Sequence, residues 1–201
     1  MKSAKTSWDI SWSLRAEVEQ ARHRLALPES QFRPLKVNEW HDIEEKVYKT
    51  FCGPNSPSKR PVWLWFDFKL DTHSYFSYKY LLPDFILEKL VDNEEIVWLM
   101  LNESGSGAGK KIPTWYLPHN GPPEGIWIEY GSEKFWFYEG RVKAIQQVLE
   151  DSAGIDEIYI ISKKYEWLLC INHHDVLYAT GGPMPARLRH LEATGALTAS
   201  T

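Results

Sequence analysis

Apolar positions recur at helical spacing near the start of the chain. Ile10, Leu14, Val18, Ala21 and Leu25 lie 4, 4, 3 and 4 residues apart, which puts them on one face of a helix that Pro28 stops. A second helix is predicted from Asn38, a residue type that caps helix N-termini, with Trp40, Ile43, Val47 and Phe51 inward and Gly53-Pro54 ending it. Asn55 to Pro61 is a loop by composition.

The period then changes. Val62 to Phe68 is a β-branched and aromatic run that predicts a strand. Pro83 suits the first turn of a short helix through Leu90. Ile96 to Leu101 reads as a buried strand, Ser104 to Gly109 as a flexible glycine loop, and Trp115 to Leu117 as a short strand. Ile126–Tyr130 and Lys134–Tyr138 flank Gly131-Ser132, the pattern of a type II′ hairpin. An amphipathic helix follows over Arg141–Asp151, with Gly154 just past its end. Ile158–Ile161, Trp167–Ile171 and Val176–Tyr178 are joined by connections too short for helical crossovers, so they are expected to be antiparallel neighbours. Five consecutive apolar residues make Trp167–Ile171 the expected central strand. A last helix covers Pro185–Ala193 and stops at Gly195, leaving residues 196–201 as a disordered tail. Helices followed by a mostly antiparallel sheet interrupted by helices define an α+β protein, read as a single domain over residues 1–201.

Composition adds little to the fold but narrows the function. With 43% hydrophobic and 25% charged residues, the chain has the make-up of a globular protein. Its net charge of −4 is uneven: residues 1–61 carry 11 Lys/Arg against 8 Asp/Glu (+3), and residues 62–201 carry 12 against 19 (−7). An acidic body argues against nucleic acid, which needs a basic stripe. It suits a basic protein partner. Ten Trp and ten Tyr supply amphipathic rings for core and contact surface. Cys52, in an expected loop, and Cys170, in a hydrophobic strand, show no metal or redox spacing, which points to a reducing cytoplasm. No apolar run reaches membrane-spanning length, and the first residues lack a signal-peptide core.

The densest set of titratable groups is Asn172-His173-His174-Asp175. His173, His174 and Asp175, with Glu103 at the end of a buried strand, are the candidate acid/base or ligating residues. Neighbours on a regular strand point to opposite faces, so the two imidazoles share a site only if a turn intervenes. The competing reading is a polar turn whose Asn and Asp bond their own backbone. The run lacks the H-E-x-x-H spacing of a helical zinc site, so neither a metal nor a cofactor is expected. Asn102, Asp67, Trp115 and Tyr116 are the candidate binding residues: Asn102 ends a buried strand beside the glycine loop, and Asp67 breaks an apolar run. Gly105 to Lys111 fails as a phosphate loop, because Lys111 occupies the hydroxyl position and Ile112-Pro113 follows where a helix should start.

Ile158 to Cys170, with the following Asn172-His173-His174-Asp175, resembles a stretch of uncharacterised bacterial proteins. The overall plan is similar to bacterial immunity proteins of the SUKH type. That resemblance implies a non-enzymatic module that binds and neutralises a toxin-like basic protein. The alternative is a metal-dependent or acid/base enzyme built around residues 172–175.

Overall fold

The structure, a computed structural model, describes residues 13–53, 63–76, 83–103, 135–153 and 155–197. Along the chain run α1 (Leu14–Arg24), β1 (Phe32–Pro34), α2 (Val37–Phe51), a 3₁₀ helix (Leu64–Asp67), β2 (Thr72–Phe76), α3 (Pro83–Leu90), β3 (Ile96–Glu103), β4 (Phe135–Arg141), α4 (Val142–Asp151), β5 (Ile155–Ser162), β6 (Leu168–Ile171), β7 (Val176–Thr180) and α5 (Met184–Ala193). The strands form one sheet in the order β1-β4-β3-β5-β6-β7-β2, with every pairing antiparallel. The expected α+β class holds.

Both faces of the sheet are covered. Successive strand residues point to opposite faces, so Ile158 and Ile160 serve one layer while Tyr159 and Ile161 serve the other. The first layer packs against α1, α3, α4 and α5 through Val18, Leu87, Ile145, Val148 and Leu188. The second packs under α2 and the 3₁₀ helix through Val47, Phe51 and Leu64. Double cover explains the near-continuous apolar runs of the interior strands. It also corrects the expectation for Trp167–Ile171. β6 is interior and fully buried, but the middle of the order belongs to β5. An apolar run reports cover on both faces, which all interior strands share.

Other boundaries move for local reasons. Residues 64–67 form a 3₁₀ helix instead of a strand. Their aromatic composition fits a half-buried surface, and they meet it by lying over the sheet face, with only Phe68 bridging to Cys52. α2 starts one residue before Asn38, because Glu39 reaches back to accept the Lys36 N–H at 2.9 Å. Cys52 sits at the C-cap of α2, not in a loop. It is buried there, and burial pushes its thiol up to about 12. The two edge strands, β1 and β2, have no counterpart in the apolar pattern, since each is short and only part-buried. Leu197, placed in the expected tail, is buried against the first layer. The glycine loop at 104–109, the short strand at 115–117 and the 131–132 hairpin turn lie outside the described residues. Among the described residues no helix is long and apolar enough to cross a membrane.

Candidate functional site

Asn172 to Asp175 is a tight turn between β6 and β7. Asn172 Oδ1 accepts the N–H groups of His174 at 3.1 Å and Val176 at 3.0 Å. Asp175 takes φ 56°, a left-handed conformation that Asp tolerates better than most residues. The turn releases the side chains from strand alternation, and the two imidazoles lie side by side with ring centroids 4.1 Å apart. The run is a self-bonded polar turn, and that turn sets the two imidazoles side by side.

The group that organises the site is Glu157 on β5, which sequence reasoning missed. It has no exposed surface. Three donors converge on its carboxylate: Trp65 Nε1 on Oε1 at 2.8 Å, His173 Nδ1 on Oε1 at 2.9 Å, and the Tyr159 hydroxyl on Oε2 at 2.5 Å. A carboxylate only accepts, so in this pair His173 carries its proton on Nδ1. Burial raises the Glu157 carboxyl above its ordinary range, and the bonds from Tyr159, Trp65 and His173 only partly offset it. Burial likewise drives the Tyr159 hydroxyl and the Cys170 thiol well up. The missed signal was the strand period. Glu157, Tyr159 and Ile161 share one face, so a carboxylate heads a row of buried side chains.

Aromatic rings wall this centre. Trp63 lies 5.3 Å from the His173 ring, and Trp65 meets His174 edge-on at 5.8 Å and stacks on Tyr178 at 5.8 Å. Phe66 stacks on Trp65 at 3.9 Å. Phe66 itself is 65% exposed.

Across the sheet, Asn102 of β3 stands directly opposite Glu157. On the other side, Asn172 follows Ile171, the partner of Ile158, and so continues the same register. Asn102, Glu157 and Asn172 thus form a buried polar row over three adjacent strands, on the face that carries the 3₁₀ helix. Of the sequence candidates, the structure brings together Asn102, His173 and His174. Asp175 is half-buried, and among the described residues its carboxylate forms no hydrogen bond or ion pair with the imidazoles. Asp67 ends the 3₁₀ helix against Gly53, whose N–H its carbonyl accepts at 2.8 Å, away from the carboxylate–histidine pair. Glu103 closes β3, and its side chain, like Trp115 and Tyr116, lies outside the described residues. Among the described residues no group of three or more His, Cys, Asp and Glu is placed to hold a metal ion.

A protein-family model described as a family of unknown function (DUF6756) matches residues 10–117 and 122–192, in line with the expected likeness to an uncharacterised family. No curated protein and no solved structure matches.

Proposed function

The chain belongs to this family of unknown function, so its activity has to be argued from the site, and we propose that it is a protein-binding module of the bacterial immunity type, holding a basic partner on an aromatic platform. Phe66 carries the reading. Its ring is mostly exposed yet stacked on Trp65, and Trp65 is tied to the buried Glu157. An aromatic held rigid in the free protein loses little side-chain entropy on binding, and such anchors supply most of an interface's energy. Phe76, 52% exposed, is on the same sheet face: it pairs with Val176, two residues from the Tyr178 on which Trp65 stacks. The −7 charge of residues 62–201 would steer a basic partner and make association salt-sensitive. The test is a photo-crosslinking amino acid at position 66, used in cells of the source organism. One basic protein captured in stoichiometric amount, and lost in Phe66→Ala at unchanged thermal stability, is the expected result. Capture of no such protein at low salt overturns the reading.

A second reading is favoured by one observation, the hydrogen bond between Glu157 and His173. A carboxylate that holds an imidazole through Nδ1 fixes the tautomer and leaves Nε2 as the acid/base nitrogen. A binding module keeps partner capture when both imidazoles are replaced by Ala in a folded protein. Loss of an activity with capture intact would move the assignment to an acid/base enzyme.

A further inference from the structure

The polar row across β3, β5 and β6 contains a hydrogen-bonding deficit that neither reading uses. Asn102 is fully buried, and among the described residues neither its Oδ1 nor its Nδ2 has a partner. Asn172 Nδ2 and Trp63 Nε1 are buried and unpartnered as well. Buried polar groups in folded proteins are overwhelmingly paired, and an unpaired one in a low-dielectric interior costs at least as much as a lost hydrogen bond. These four atoms belong to residues tied to one buried carboxylate by strand register, by sequence neighbourhood and by the contact of Trp63 with His173.

We propose that Asn102, Asn172 and Trp63 form, beside Glu157, a binding site for a small planar heterocycle whose edge presents an N–H flanked by carbonyl oxygens. The donor count sets this class. Asn102 offers a donor and an acceptor side by side, the arrangement that pairs bidentately with an amide-type edge, as asparagine does with adenine. Asn172 Nδ2 and Trp63 Nε1 add two donors and no acceptor, so the ligand must be richer in acceptors than in donors. Glu157 Oε2 takes a single hydrogen bond, from Tyr159, and keeps a lone pair for a ligand N–H. The Trp63 indole and the His173 ring, 5.3 Å apart and tilted to each other, border the polar row and give the site flat walls. Trp63 is half-buried and His174 exposed, so the aromatic wall around His173 reaches solvent. The site does not depend on the protein-binding reading, which uses the exposed ring of Phe66, whereas this one uses the buried polar edges of Asn102, Asn172 and Trp63.

Uracil is the probe, because its N3–H lies between two carbonyls. N3-methyluracil, which lacks that donor, and toluene, which lacks any polar edge, are the controls. The side-chain amide resonances of Asn102 in a ¹⁵N–¹H spectrum of the full chain should shift saturably with uracil at millimolar concentration and not with either control. Asn102→Leu should abolish binding while leaving the unliganded protein at least as stable, because it removes an unpaired carboxamide. If that variant fails to fold, Trp63→Phe carries the test, with at least a tenfold loss of uracil affinity expected, the worth of one buried donor at about 1.4 kcal/mol. The proposal is overturned if uracil produces no saturable shift, or if toluene binds as well. It also fails if Asn102 shows a long-lived bound water and Asn102→Leu loses stability, since water then satisfies these atoms. A parent protein that binds uracil but captures no partner at position 66 fails the platform alone, and one that captures a partner but shows no uracil shift fails this site alone.

Discussion

Trp65 donates its indole N–H to Glu157 at 2.8 Å across 92 residues of sequence. The bond fastens the 3₁₀ helix to β5, the middle strand of the sheet, and so holds Phe66 where it is exposed. Trp65→Phe keeps most of the ring area and removes the donor. The expected cost is about 1–3 kcal/mol, the penalty for withdrawing a hydrogen bond from a buried charged acceptor. Urea unfolding measures it; a variant as stable as the parent would show that the bond does not anchor the segment.

Glu157 gives a pH dependence of definite sign. Burial raises its carboxyl above the ordinary 4.5, so the folded protein binds that proton more readily than the unfolded chain. Its contribution is fully present below 4.5 and is lost as pH rises through the raised value. The stability of the parent minus that of Glu157→Gln should therefore fall as pH rises from 4.5 and level off once the carboxyl has ionised.

Glu139 should behave in the opposite way. Burial pushes its carboxyl up, but the bonds from Lys163 and Arg33 outweigh burial and hold it below 4.5. Its contribution is present above 4.5 and lost as pH falls through the lowered value. The matching difference for Glu139→Gln should rise with pH over the acid range. Two difference curves of the same slope would refute the assignment of opposite environments.

The sequence announced the elements with strong period and hid those without one. Helices α1 to α5 and strands β3 to β7 were legible because each buries a face broad enough to write a pattern. β1 and β2 were not: an edge strand of three or five half-covered residues is paired by its backbone, which leaves no mark on residue type. The Trp63–Phe68 run carried a strand's composition, yet it lies over a sheet as a 3₁₀ helix, because aromatic residues suit any half-buried surface. At the site, the histidines were visible as a cluster in sequence. Glu157 was not, since it sits alone between Asp156 and Ile158 and acquires Trp65, His173 and Asn102 only through tertiary contacts.

Gly140 is a place where packing, not backbone freedom, demands glycine. A Cβ there would lie 2.8 Å from the Phe32 ring, 3.1 Å from the Gln31 carbonyl and 3.2 Å from Ile145. Phe32 is its cross-strand partner and stacks on Tyr138, so it has little room to retreat. Gly140→Ala should cost about 1–3 kcal/mol, as overpacking does. Gly195→Ala, with nothing near its Cβ position, tests only the positive φ of 69° at the end of α5 and should cost less. Thermal unfolding of the two variants side by side distinguishes packing from conformation.

Leu169 tests the doubly covered sheet itself. It is buried in β6 between Ile160 and Ala179 and belongs to the layer under α1, α3, α4 and α5. Leu169→Ala should cost about 2–5 kcal/mol, the transfer of the lost atoms plus the cavity they leave. Leu169→Asp adds the desolvation of an unpaired charge and should abolish soluble expression. Val37, 76% exposed at the first residue of α2, is the contrast. Val37→Asp removes little buried area and places a negative charge at a helix N-terminus, so it should leave stability unchanged or raise it by about 0.3–1 kcal/mol. Urea midpoints decide the comparison. A Leu169→Asp protein that folds with the parent's midpoint would mean that β6 does not lie in the interior of this sheet.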